Sequence, residues 1–162
     1  LNLLDSHDVS RFLSLCGGDT VVYRLAVLLM MTFVGMPTVF YGDELGAQGT
    51  TEEEYRQPMP WQGGDMALHD FFCRAIAMRH QLAALRRGDL RIVQAEPGSG
   101  FLAFCRRSRG QRVTVCINRN LTPAALPDIA GRLYWAEGML ENRRLGQGFA
   151  IYIDEQDEVF YS

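Results

Sequence analysis

The stretch NLLDSHDVSRF, Asn2–Phe12, decides how the chain is read. Its leucines run straight into Asp5, Ser6, His7 and Asp8. A short apolar run that ends in an acid–histidine cluster is how a reactive group sits at the tip of a buried parallel strand. Such a strand needs neighbours beside it, and nothing in the chain precedes this one. Outward from it, CGGD (Cys16–Asp19) supplies an N-cap at Asp19, and an apolar segment follows. That segment predicts a helix over Thr20–Phe33, buried on more than one side because it is apolar nearly all round. Gly35-Met36-Pro37 breaks it. TVFY, Thr38–Tyr41, then reads as a second short strand. A polar loop, Asp43–Gly64, leads to a helix over Met66–Arg87, whose apolar face is Leu68, Phe71, Phe72, Ala75, Ile76, Leu82 and Leu85.

Strand–helix–strand–helix is the repeat of an α/β fold with parallel strands. Near Gly88 the apolar period changes. GFLAFCRRSRGQRVTVCIN reads as two strands around a turn at Ser108-Arg109-Gly110, and RLYWAE, FAIYID and EVFYS as further short strands. The second half is therefore expected to be an antiparallel sheet or sandwich, with RRSRGQR as a solvated hairpin end. Two βα units close no barrel and hide neither edge of a parallel sheet, so the first half is expected to be the last quarter of something larger, with exposed edges that invite self-association.

The chain has 162 residues, 48% apolar and 22% charged, with a net charge of −3. This is the composition of a globular chain with no basic field to attract nucleic acid or anionic lipid. All sixteen basic residues are arginine; no physical reason for that is apparent. Cys16, Cys73, Cys105 and Cys116 lack the C-x-x-C spacing of a zinc site and lie in apolar surroundings. They read as free buried thiols, which leans toward a reducing, cytoplasmic location. The run Leu25–Val34 is shorter than the about 20 apolar residues that cross a bilayer.

At this point a family resemblance becomes specific. NLLDSHDVSRF resembles the fourth sequence signature of the α-amylase family of glycoside hydrolases, a His-Asp pair at the tip of the seventh strand of a (β/α)8 barrel. GMPTVFYGDELGAQG (Gly35–Gly49) is similar to the eighth strand and its loop, and RQPMPW (Arg56–Trp61) to the Arg-x-Pro-Met-x-Trp that follows. LRRGDLRIV (Leu85–Val93) is similar to the entry into the C-terminal β-sandwich. The wording is closest to the cyclomaltodextrinase, neopullulanase and maltogenic amylase branch. The resemblance implies an α+β fragment: residues 1–88 as the last two βα units of the (β/α)8 TIM barrel, residues 89–162 as an all-β domain.

It also implies roles. Asp8 would be a catalytic carboxylate that stabilises the positive charge developing as a glucosidic bond breaks. His7 would bind a hydroxyl of the same sugar. In many members an Asp and an Arg in Asp-Pro-x-x-Arg bind a sugar further from the cut; here Glu52 stands at the Asp position, Glu53 at the Pro and Arg56 at the Arg, and a solvated acidic loop is an equal reading of the same segment. The retaining reaction needs a nucleophile and an acid about 5 Å apart, and both belong to earlier strands. The chain alone is therefore expected to be inactive. The implied partner is an α-glucan oligosaccharide or polysaccharide, with α-1,4 or α-1,6 linkage left open. No cofactor or metal is expected; calcium serves some relatives, but no ligand cluster supports it here. Asp5 and Arg11 read as ion-pair residues that hold a loop, Asp43 and Glu44 as structural acids at a strand end, Trp61 as a packed loop aromatic, and His69 and His80 as surface or packing residues. Two other readings stay open: a non-catalytic carbohydrate-binding or structural module, and a dead barrel relative used for interaction.

Overall fold

β1 (Asn2–Leu3) and β2 (Pro37–Thr38) lie parallel, with Asn2 opposite Pro37 and Leu3 opposite Thr38. The computed structural model describes residues 1–155, in two compact units, Leu1–His80 and the described part of Gln81–Ser162. The strand expected at EVFYS lies outside the described residues.

In the first unit a short helix, α1 (Phe12–Leu15), leads to α2 (Thr20–Thr32). Asp19 caps α2 as expected, its carboxylate accepting from the Val21 and Val22 N–H groups at 2.9 and 3.1 Å. Tyr23, Leu25, Val27, Leu28, Met30 and Met31 are all buried, so α2 is covered on more than one side. Gly35 takes a positive φ (+115°) that other residues rarely adopt, and an added Cβ there would fall 2.7 Å from Oδ1 of Asn2 and displace that side chain.

The second strand is shorter than the sequence suggests and begins one residue earlier. The backbone of Phe40 and Tyr41 is drawn away from the ladder: Phe40 N–H donates to Asp43 Oδ2 at 3.0 Å, and Tyr41 O accepts from Arg11 at 2.9 Å. A 3-10 turn (Asp43–Leu45), α3 (Glu52–Tyr55) and α4 (Met66–Gln81) complete the unit. On α4 the buried face is Leu68, Phe71, Phe72, Ala75 and Met78; Ile76 is 36% exposed, against expectation. Arg79 donates to the carbonyls of Met31 (2.7 Å) and Gly35 (2.6 Å), which ties α4 to the end of α2.

The long helix expected over Met66–Arg87 is two helices. Leu82 is extended (φ −92°, ψ 104°), and α5 (Ala83–Arg87) begins afresh after it. The break has a donor-level cause: Ala84 N–H bonds Gln111 Oε1 at 3.0 Å instead of a carbonyl of the preceding turn. Gly88 ends α5 where a Cβ would meet Ala84 O at 2.4 Å and Arg107 O at 2.5 Å.

The second unit is antiparallel, as expected. β3 (Asp89–Ala95), β4 (Phe101–Ser108), β5 (Gln111–Asn118), β7 (Arg132–Glu137) and β10 (Gly148–Glu155) form one sheet in the order β3-β4-β5-β10-β7. β6 (Ala124–Ala125), β8 (Leu140–Glu141) and β9 (Arg144–Leu145) form a small second sheet. The β4–β5 hairpin pairs Leu102 with Ile117 and Phe104 with Val115, which fixes its register. Phe101, Ala103, Cys116 and Ala150 on one face pack with Leu145, Leu126, Ile129 and Leu140. On the opposite face Trp135 packs edge-on against Phe149 at 4.9 Å. Trp135 is a core residue. Arg106, expected in the solvated hairpin end, is buried and donates to Gly88 O at 2.8 Å.

Candidate active site

The turn after β1 is built by its own polar groups. Ser6 and Val9 form an isolated bridge, and Asp8 N–H donates to Ser6 Oγ at 3.1 Å. The turn is then tied to the loop at Gly49 and Thr50. Arg11 N–H donates to Gly49 O (2.9 Å), Ser10 Oγ to Thr50 O (3.2 Å), and Gly49 N–H to Ser14 Oγ (2.8 Å). These bonds bring α3 beside His7 and Asp8. α3 itself starts at a capping box of Thr51 and Glu54. The Thr50 and Thr51 N–H groups hold the Glu54 carboxyl below its usual range.

All four residues singled out in the sequence meet at this place. His7 Nε2 lies 3.2 Å from Asp8 Oδ2. Arg56 Nη2 lies 3.5 Å from Asp8 Oδ1, and Arg56 Nε donates to His7 O at 2.8 Å. Arg56 Nη1 pairs with Glu52 one helical turn earlier on α3. Glu52, one methylene longer than the Asp of the family pattern, pairs with the arginine at the end of its own helix. The side chains of His7 and Asp8 are 68% and 65% exposed, so the group is open to a ligand. The arrangement is a fixed anion beside a ring nitrogen and a guanidinium. It offers hydrogen bonds to hydroxyls and a negative charge to a developing cation.

Behind the turn lies a feature the sequence did not assemble. Arg11 is buried and donates to Asp43 Oδ1 at 2.9 Å, so its ion pair is with Asp43. The guanidinium also stacks over Phe40 at 4.3 Å. Asp5, equally buried, accepts from Phe12 N–H at 2.6 Å. Asp43 is structural, as expected, bonding its own strand end. Burial, and then the neighbouring Asp5 carboxyl, push its carboxyl up to about 8.

Other expectations need correction. Trp61 is not packed: it is 84% exposed, in a loop with no apolar surface over it. Of the cysteines, all free, Cys105 and Cys116 are buried, but Cys73 is exposed on the outer side of α4. His69 lies half-buried on α4 near Asp70, and His80 is exposed. Among the described residues no group of three His, Cys, Asp or Glu converges as a metal site, and no helix is long and apolar enough to cross a membrane.

Residues 1–84 match the family model described as the alpha-amylase catalytic domain. Neopullulanase 2 of Thermoactinomyces vulgaris is 44% identical over 119 residues, which make up 72% of this chain and 20% of that protein. A cyclomaltodextrinase of Geobacillus thermopakistaniensis is 36% identical over 146 residues, 88% of this chain and 25% of that one. Among solved structures, an acarbose-soaked debranching enzyme of Nostoc punctiforme superposes with a TM-score of 0.80 at 27% identity, covering 93% of this chain and 33% of that chain. Cyclic α-maltosyl-(1→6)-maltose hydrolase of Arthrobacter globiformis does so with 0.78 at 28%, covering 95% and 34%. The chain spans about a fifth to a quarter of the length of these two relatives.

Proposed function

The chain belongs to the α-amylase family of glycoside hydrolases, with relatives in the neopullulanase, cyclomaltodextrinase and maltogenic amylase branch, and from that membership we propose that it forms the carboxyl-terminal part of a retaining α-glucan hydrolase. In this reading residues 1–88 are the last two βα units of a (β/α)8 barrel, and residues 89–162 are the all-β domain after it. One observation carries the reading: His7, Asp8, Glu52 and Arg56 converge, exposed, just past the carboxyl end of β1. That end of the strands is where barrel enzymes of this architecture build their sites.

The division of labour follows from charge. Glucosidic bond cleavage passes through an oxocarbenium-like state, and an anion fixed in advance near the ring stabilises it without reorganising. Asp8 is such an anion, held from one side by His7 and from the other by Arg56. His7 donates a hydrogen bond to a hydroxyl of the same sugar. Arg56, with its charge shared between Glu52 and Asp8, contacts a neighbouring sugar unit. The nucleophile and the general acid come from outside this chain, so residues 1–162 alone perform no hydrolysis.

Product stereochemistry tests the reading. The intact protein that carries this chain is incubated with a cyclodextrin or pullulan, and the new reducing end is followed by proton NMR before it mutarotates. Release of the α-anomer is the expected result. First release of the β-anomer, or no cleavage of either glucan, would overturn it.

A further inference from the structure

Two carboxyl groups and one guanidinium occupy the interior directly behind the turn that carries His7 and Asp8. Asp5, Arg11 and Asp43 are 3%, 2% and 2% exposed. Three of the four carboxyl oxygens have donors. Asp43 Oδ1 takes Arg11 Nη1, Asp43 Oδ2 takes Phe40 N–H, and Asp5 Oδ1 takes Phe12 N–H. The fourth, Asp5 Oδ2, is buried and meets no donor, and the Asp5 carboxyl belongs to the same buried cluster and acts on that of Asp43. Two carboxylates make no hydrogen bond unless one holds a proton. The charges call for such a proton. Two ionised acids and one arginine sum to −1, and an uncompensated buried charge is strongly unfavourable; one added proton brings the cluster to zero.

We propose that Asp5 and Asp43 share one proton, and that the neutral Asp5–Arg11–Asp43 cluster is a positioning device that fixes the turn bearing Asp8. The proposal deepens the reading of Asp8 given above and rests on it for its effect on catalysis. Asp5 and Arg11 stand at the two ends of that turn, and both reach the same buried carboxyl group. The other titratable groups around the cluster are few. Tyr23 of α2 donates its O–H to Asp43 O at 3.4 Å, Glu44 follows in the 3-10 turn, and the Cys16 thiol faces Asp5 from the end of α1. Neither Tyr23 nor Cys16 brings a compensating positive charge; both thiol and phenol are themselves pushed up, first by burial. Arg11 is thus the one cation among the groups named here.

The pair titrates as a unit, and its upper step is the one raised to about 8. The native cluster therefore keeps a proton that the unfolded chain gives up near 3.8, so folding stability falls as pH rises between 3.8 and about 8. Above that window two carboxylates face each other, Asp5 is pushed from Asp43, and the hold on Phe12 N–H and on the Asp8 turn loosens.

The two asparagine variants are not equivalent, which makes the test specific. Asp5→Asn keeps an oxygen for Phe12 N–H and points its N–H toward Asp43, as the shared proton does. Asp43→Asn turns an N–H against either Arg11 or Phe40 N–H. In the intact enzyme, infrared difference spectra between neutral and alkaline pH should show a protonated-carboxyl band that disappears through about pH 8 and is missing in Asp5→Asn. The kcat ratio of wild type to Asp5→Asn should fall across the same range, which cancels the titration of the general acid. Asp43→Asn should lower kcat at every pH. A band unchanged by Asp5→Asn would overturn the shared proton, and a kcat ratio flat with pH would overturn the positioning role. Should the enzyme cleave no glucan, the functional reading fails, while the infrared band still decides where the proton is.

Discussion

Arg11 sits where a cation is rarely left, with 2% of its side chain accessible. It survives there because its charge meets Asp43, its N–H groups meet the Tyr41 carbonyl, and its plane meets Phe40. Removing it strands a buried acid. Arg11→Ala is expected to lower unfolding free energy by roughly 3–5 kcal/mol. The loss should be smaller in mild acid, where the Asp43 carboxyl holds a proton, and larger above about pH 8, where it does not. Denaturant melts at the two pH values measure it; a pH-independent loss below about 1 kcal/mol would contradict the assignment. The type of role was legible in the sequence, but the partner, 32 residues away, was not. An arginine in a polar-looking loop reads the same whether it is buried or solvated, because burial of a charge is decided by tertiary neighbours. Arg106 was misread for the same reason, and Trp61, expected to be packed, is exposed.

At the scale of elements, the parts with local causes were readable. Asp19 followed by an apolar segment is a helix start in sequence and in structure. Asp19→Ala removes both of its capping bonds and is expected to cost about 1 kcal/mol. A thermal melt followed by circular dichroism checks this; an unchanged midpoint would mean that α2 is held by packing alone. The antiparallel half was equally readable, since its hairpin register follows from alternation. The break at Leu82 was not. Its apolar spacing continues the face of α4, and the group that ends the helix is a glutamine on β5. The second strand was overextended because its last two residues bond Asp43 and Arg11 instead of a neighbouring strand. In both cases a side chain took a backbone group that the local pattern would have spent on regular structure, Gln111 and Arg11 from far along the sequence and Asp43 from three residues away.

At the scale of the whole molecule, the site was legible as residue types and its assembly was not. His7 and Asp8 announce themselves by adjacency, but Glu52 and Arg56, some fifty residues on, join them through tertiary bonds: those of Ser10 and Arg11 to the Gly49–Thr50 backbone and those of Arg56 to His7 and Asp8. The proposed enzyme divides its three carboxyl roles between this chain and earlier strands, with Asp8 supplying charge and no proton transfer. That division is tested most directly by steady-state kinetics of Asp8→Asn in the intact enzyme, on a cyclodextrin, with circular dichroism as the folding control. The substitution keeps the shape and removes the charge. The expected result is a fall in kcat of roughly a hundred- to a thousand-fold, about 3 kcal/mol, because the charge that Asp8 answers exists only near the transition state. A folded Asp8→Asn enzyme that turns over at the wild-type kcat would contradict it.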